Sequence, residues 1–131
     1  MITFTKEMLK NDDINCLALC IYSEARGEPT EGQYWVGHVI LNRVKDKSFP
    51  NTIYGVVFQK FQFSWTINKN SFIVKEMNSW NNCVNIAKEL INGKPDETNN
   101  ALYFLTTNLT TSWSKKLKVR KIIGNHKFLG N

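Results

Sequence analysis

Apolar and small residues recur at Ile14, Leu17, Ala18, Ile21, Tyr22 and Ala25. This is the spacing of one face of an α-helix. Asp12 and Asp13 stand where N-caps belong, Gly27 suits a left-handed helix end, and Pro29 forbids continuation. A second helical run covers about 31–45, with Val36, Val39, Ile40 and Val44 on one face. Thr30 and Gln33 in front of it read as a capping box, Thr at the cap and Gln three residues on. So few residues separate the two runs that the helices must turn sharply on one another. Gly32 and Gly37 are unfavourable inside a helix and predict close approach by a neighbour or a substrate.

Further along, Thr52 introduces a short helix over 52–58. Residues 62–66 alternate aromatic and hydroxyl side chains, as a short strand or a groove-lining loop would. Ser79 reads as the cap of a third long helix over 80–92, with Trp80, Cys83, Val84, Ala87, Leu90 and Ile91 as its apolar face. Gly93 and Pro95 end it. After Ala101 the period changes from helical to extended. Residues 102–106 read as a strand, and 119–123 and 126–129 as a hairpin around Gly124-Asn125. The predicted fold class is α+β, mainly helical with a small late antiparallel sheet, in a single domain over 1–131.

A hydrophobic content of 42% and a charged content of 21% are ordinary for a soluble globular protein. No apolar run approaches the ~20 residues that cross a bilayer, and the first residues lack the layout of a secretory signal. The expectation is a monomer made in the cytoplasm without a signal peptide and not inserted in a membrane. The net charge of +6 favours anionic partners without choosing among them. Its local cluster, 115–121, reads as a solvated strand or loop edge. The three cysteines, Cys16, Cys20 and Cys83, read as reduced core residues. A zinc site needs closely spaced Cys/His pairs, and the two histidines, His38 and His126, are far apart. No metal and no cofactor are expected.

The candidate chemistry sits at the end of the first helix. Glu24 falls 80–90° from the centre of the apolar stripe at about 100° per residue, in line with Leu17 and Cys20. It is expected at the margin of the core, partly desolvated, at the electronegative end of its helix. Arg26 points to the far side. Desolvation without a neighbouring cation raises a carboxyl pKa, as a general acid near neutrality requires. Glycosidic cleavage needs such an acid and usually a second carboxylate. Here the second is undefined. Glu28 and Glu31 lie nearby in the turn, and Asp96 and Glu97 in a remote loop.

The run Tyr22-Ser23-Glu24-Ala25-Arg26-Gly27-Glu28-Pro29, then Glu31-Gly32-Gln33, Val36-Gly37 and Val39-Ile40-Leu41-Asn42-Arg43-Val44, resembles the SleB-type cell-wall hydrolases, a spore-cortex-lytic family. The resemblance continues through Phe49-Pro50-Asn51-Thr52-Ile53, Gly55-Val56-Val57, Gln62-Phe63-Ser64-Trp65, Ala101-Leu102-Tyr103-Phe104, Trp113 and Ile123-Gly124-Asn125-His126-Lys127-Phe128. It departs from the family pattern at Tyr34-Trp35, at Leu102-Tyr103-Phe104 and over 68–77.

The resemblance implies a lysozyme-like α+β fold. It also implies cleavage of the β-1,4 bond between N-acetylmuramic acid and N-acetylglucosamine in peptidoglycan, by a lytic transglycosylase or a muramidase. The family's catalytic glutamate maps onto Glu24, and its members lack an obvious second carboxylate. Substrate contacts are expected from Gln33, Gln62, Ser64, Trp65, Tyr103, Trp113 and His126. Trp65, Trp113 and Tyr103 offer flat faces to sugar rings, although aromatic core packing is an equally simple use of such residues. The partner is peptidoglycan glycan strands, reached in the cell wall outside the cytoplasm, as a phage endolysin would reach them. The alternative is a non-catalytic glycan-binding module that keeps the cleft. A nucleic-acid binder would rest on charge alone, with no supporting motif. A Cys/His peptidase lacks a nucleophile context around Cys20 or Cys83.

Overall fold

The computed structural model describes residues 1–60 and 62–131. In chain order the elements are β1 (Ile2–Thr5), α1 (Lys6–Leu9), α2 (Asp13–Ala25), α3 (Thr30–Lys45), α4 (Ile53–Val57), β2 (Ser71–Val74), α5 (Met77–Ile91), β3 (Tyr103–Thr106), β4 (Lys118–Ile123) and β5 (His126–Gly130). The architecture is α+β, as the change of period predicts.

Helix α2 is the centre of the fold. Asp12 caps it, its carboxylate accepting from the Asn15 N–H at 3.0 Å. Every residue from Cys16 to Tyr22 is buried. The apolar stripe read from the sequence therefore understates the burial, because α3, α4 and α5 all pack on this helix and enclose most of its circumference. Truncating a side chain such as Leu17, which has no exposed surface, is expected to cost about 2–5 kcal/mol. Close approach explains Gly37: a Cβ there would collide with Leu90 of α5 and Ile21 of α2.

Two helix starts differ from expectation. Helix α3 begins at Thr30 behind Pro29, and no side chain caps it. Gln33 instead reaches back, its Nε2 donating to the Ala25 carbonyl at 3.2 Å. It thus joins the Glu28 N–H on an acceptor at the end of α2 rather than serving a donor at the start of α3. Helix α5 starts at Met77, ahead of the expected Ser79 cap. Its entry is held by Tyr22, whose hydroxyl accepts from the Glu76 N–H at 3.1 Å. The segment 62–66 forms neither of its two predicted shapes purely: Ser64–Thr66 is a 3-10 turn.

The late sheet has the order β3-β5-β4, all antiparallel. The hairpin turns at Gly124, φ +55°. A second, two-stranded sheet pairs β1 with β2, Phe4 opposite Phe72. It is absent from the sequence reading because its partners are nearly the whole helical region apart. Helix α3 anchors the late sheet. Asn42 Nδ2 donates to Thr98 Oγ1 at 3.1 Å and to the Ala101 carbonyl at 3.0 Å. Arg43 Nε donates to the Leu102 carbonyl at 2.7 Å. Among the described residues no helix is long and apolar enough to cross a membrane.

Candidate active site

Glu24 is the penultimate residue of α2, and Gly27, three residues on at φ +88°, turns the chain away. The carboxyl opens into a groove of ≈ 450 Å³ lined by Glu24, Arg43, Gln62, Phe63, Tyr103, Phe104, Leu105 and Trp113. One wall is helical and the other is β3. Glu24 is half-buried, and among the described residues it makes no hydrogen bond and no ion pair. Burial raises its pKa from 4.5 to about 7, against the opposing charge of Arg43. Arg26 is removed from contention: it sits 4.5 Å over the Tyr22 ring and pairs with Glu76 at 2.7 Å.

The expectation that no cation shares the site is corrected by Arg43. Its side chain is buried and packs against Phe49, Tyr103 and Phe63 at 4.9, 5.4 and 5.8 Å. Its donors are engaged by the Leu102 carbonyl and by Gln62 Oε1 at 3.3 Å, so it contributes field rather than contact to Glu24. Sequence reasoning passed over it, yet a signal existed. Position 43 continues the Val36, Val39, Ile40 series at i+7, so a guanidinium occupies a core position of α3.

Of the other expected site residues, Gln62, Tyr103 and Trp113 line the groove with Glu24. Trp113 is 45% exposed and leans on Tyr103 at 5.2 Å. Gln33, Ser64, Trp65 and His126 are placed elsewhere. Gln33 holds the end of α2. Ser64 is exposed on the 3-10 turn. Trp65 packs in a cluster with Phe58, Phe63 and Phe72 and borders a different hollow with Ser23, Asn68 and Ser71. His126 lies behind the wall, edge-on to Phe104 and Phe128. Burial lowers its pKa, although Glu28 acts in the other direction. Their 4.0 Å separation is too long for a hydrogen bond. Phe63, Phe104 and Leu105 complete the groove and were not singled out in the sequence.

Three of the possible second carboxylates, Glu28, Glu31 and Asp96, are committed elsewhere, and Glu97 does not line the groove. Glu28 accepts from the Asn125 N–H at 2.8 Å and from Asn125 Nδ2 at 3.0 Å, clasping the hairpin turn. Glu31 pairs with Lys121 at 2.9 Å. Asp96 lines a larger cavity, ≈ 740 Å³, that contains His38 and not Glu24. The cysteines are buried and free. Burial pushes Cys16 up to about 12 and Cys83 to about 11, and raises Cys20 as well, which removes them as thiolate nucleophiles. Among the described residues no cluster of three or more His, Cys, Asp or Glu is placed to hold a metal ion.

The arrangement offers a carboxyl whose pKa is raised to about 7 beside a wall of aromatic faces, with one buried cation engaged elsewhere. Comparison with known proteins places the chain in a family. The cell wall hydrolase family profile matches residues 27–129, beginning three residues after Glu24. The spore cortex-lytic enzyme of Bacillus cereus is 37% identical over 118 residues, covering 89% of this chain and 44% of that protein. The Bacillus subtilis enzyme of the same name is 36% identical over 119 residues, covering 90% and 37%. The chain therefore spans less than half the length of these relatives. The crystal structure of the catalytic domain of the Bacillus cereus SleB protein superposes with a TM-score of 0.72 at 35% identity, covering 90% of this chain and 89% of that one. The catalytic domain of the germination-specific lytic transglycosylase SleB from Bacillus anthracis gives 0.73 at 36% identity, covering 92% and 96%. The α+β, lysozyme-like architecture is common to all three structures, and by sequence and by fold this chain belongs to the cell wall hydrolase family.

Proposed function

We propose that this chain cleaves the β-1,4 bond between N-acetylmuramic acid and N-acetylglucosamine in peptidoglycan, with Glu24 as the general acid. The observation that carries the reading is the state of Glu24. It is a carboxyl without hydrogen-bond partners in an aromatic-walled groove, and it holds its proton up to about pH 7. The names of the relatives, a spore cortex-lytic enzyme and a germination-specific lytic transglycosylase, support the same substrate class.

In this mechanism Glu24 donates its proton to the bridging oxygen as the C1–O4 bond breaks, and the N-acetylglucosamine hydroxyl leaves. The positive charge that develops at C1 finds no second carboxylate among the described groove residues. The substrate supplies the relief: the 6-hydroxyl oxygen of the same muramic residue attacks C1 and returns its proton to the Glu24 carboxylate. The product carries a 1,6-anhydro end. Water attacking in place of the hydroxyl gives a free reducing end, the muramidase outcome. Arg43 favours the ionised Glu24 that exists between the two proton transfers, while its engagement with Leu102 and Gln62 keeps it from forming a tight pair that would strip the proton beforehand.

The test is mass spectrometry of the muropeptides released from purified sacculi by the wild type and by Glu24→Gln. Release by the wild type and none by the variant is expected, with an anhydro end marking transglycosylation. Equal release by both proteins would remove Glu24 from its role.

A further inference from the structure

Ser23 and Glu24 are consecutive on α2, yet they border different hollows. Glu24 opens into the groove, and Ser23, exposed, borders a second hollow of ≈ 580 Å³. Phe63 and Trp65 divide in the same sense. Phe63 lines the groove and Trp65 the second hollow, and their rings stack at 6.4 Å with 24° between the planes. Two separate pairs of neighbours, one helical and one aromatic, thus form a common boundary. The second hollow adjoins the groove, and the acid stands at their junction.

The far side of this hollow is the stretch that leads into and through β2. Asn68, at φ +58°, turns the chain there. Asn68, Lys69, Asn70, Ser71 and Lys75 are exposed, and all of them line the hollow. Side-chain amides and hydroxyls both donate and accept, as the hydroxyl and acetamido groups of a sugar require. The lining contains two lysines and no acid. Among the described residues, neither Lys69 nor Lys75 has an ion pair or a hydrogen bond. A site that cuts a polymer also needs room on both sides of its acid, because the oxygen that takes the proton joins two sugars. Glu24 lies at the boundary of the groove, so the groove can hold the strand on one side only.

We infer that the second hollow seats the sugars on the other side of the scissile bond, with Trp65 as its apolar wall and Lys69 and Lys75 meeting carboxylates carried by the muramic residues. The inference rests on the reading of the groove as a glycan site. A neutral polymer of N-acetylglucosamine would leave the two lysines without a counter-charge. Every second sugar of a peptidoglycan strand instead bears a lactyl carboxyl group, free or extended by a stem peptide that ends in a carboxylate of its own. The lysines therefore make the hollow selective for strands that contain muramic acid. Charge contacts on an exposed rim act weakly one by one and add up over several.

The experiment is calorimetric titration of Glu24→Gln protein, in which turnover is removed, with soluble glycan strands in three forms: bare strands freed of stem peptides by an amidase, the same strands with their lactyl carboxyls capped as amides, and strands that keep their peptides. One variant adds Lys69→Gln and Lys75→Gln. A second adds Lys47→Gln and Lys88→Gln, exposed lysines that border neither hollow and lower the net charge equally. The first is expected to bind carboxylate-bearing strands roughly tenfold more weakly at low salt, the second less than about twofold, and capping should erase the difference. A lysine effect on bare strands assigns the contact to the lactyl group, and one confined to peptide-bearing strands assigns it to the stem peptide. Ser71→Trp, which fills the hollow without changing its charge, should weaken binding of bare and capped strands alike, by about tenfold. Equal losses in the two lysine variants would reduce the effect to net charge and overturn the inference. So would the absence of a lysine effect on both carboxylate-bearing forms, a lysine effect that survives capping, or undiminished binding by Ser71→Trp. Muropeptide release by the wild type is scored separately. The expected binding pattern without any release would sink the catalytic reading and leave the hollow as a glycan site, whereas release without the binding pattern would sink the inference alone.

Discussion

Two hollows in this molecule each contain an acid, and they treat it in opposite ways. In the groove, Glu24 is desolvated and has no hydrogen-bond partner, and its pKa rises to about 7. In the larger cavity, burial also opposes the charge of Asp96. There, however, the Thr98 hydroxyl and N–H donate at 2.6 and 2.8 Å and the Asn100 N–H at 3.0 Å, and the net shift is downward. Asp96 is a loop cap that stays ionised. The neighbouring His38, its pKa lowered by burial, is neutral at pH 7 and 3.9 Å away, so the two form no ion pair there. Cavity size alone would choose the other hollow, not the one proposed as the active site. What distinguishes a proton donor is a carboxyl that the protein has desolvated and then left without donors.

That contrast is broken most directly by exchanging the fates of the two acids. Glu24→Gln should reduce turnover of sacculi by about 10²–10⁴-fold, the usual value of a general acid. Asp96→Ala should leave turnover within about twofold and cost on the order of 1–2 kcal/mol of stability through its lost loop bonds. Turnover assays beside denaturant melts check both, and a comparable turnover loss at Asp96 would erase the distinction. The Asp96 contribution is present above about pH 4, the ordinary range of an aspartate, and is lost as pH falls through its lower native value.

Arg43→Met sharpens the electrostatic half of the comparison. It leaves the Leu102 carbonyl unpaired, at about 1–3 kcal/mol of stability, and removes a charge that holds the Glu24 pKa down. The alkaline fall in kcat/KM, expected near pH 7 for the wild type, should move to higher pH. A limb that stays in place would mean that Glu24 does not feel Arg43. Glu28→Ala tests whether a second acid acts. It should cost about 1–2 kcal/mol by freeing the Asn125 turn, with a smaller effect on kcat than Glu24→Gln. A loss of kcat equal to that of Glu24→Gln would make Glu28 a partner in the chemistry.

The smallest effect is on the acid's own stability balance. The native pKa of Glu24 lies above its unfolded value, so the native state binds more protons between pH 4.5 and about 7. Stability therefore falls as pH rises through that window. Glu24→Gln should melt about 2–5 °C higher than the wild type at pH 8 and show no such advantage at pH 4. Calorimetry at the two pH values reads this without any substrate.

Much of this was legible in the chain. The period of α2, its Asp12 cap and the Gly27–Pro29 stop place Glu24 in the last turn of a helix, because those signals are local and each has one cheap structural outcome. The strands and turn of the β4–β5 hairpin are local in the same way. Two errors came from local signals that competed with tertiary partners. Thr30-Glu31-Gly32-Gln33 has the letters of a capping box, yet the Ala25 carbonyl offered Gln33 a better use. Ser79 could cap a helix, yet the Tyr22 hydroxyl let α5 begin earlier.

What the sequence determined by itself was the helix that carries the acid and the angle at which the acid leaves its apolar face. Both follow from backbone period and steric stops within a few residues. Only the tertiary structure decided what that acid would face. The β3 wall, the Arg43 field and the diversion of Glu28 to Asn125 join residues far apart in the chain. Desolvation is a property of the enclosure they form together, with no counterpart in any short stretch of sequence.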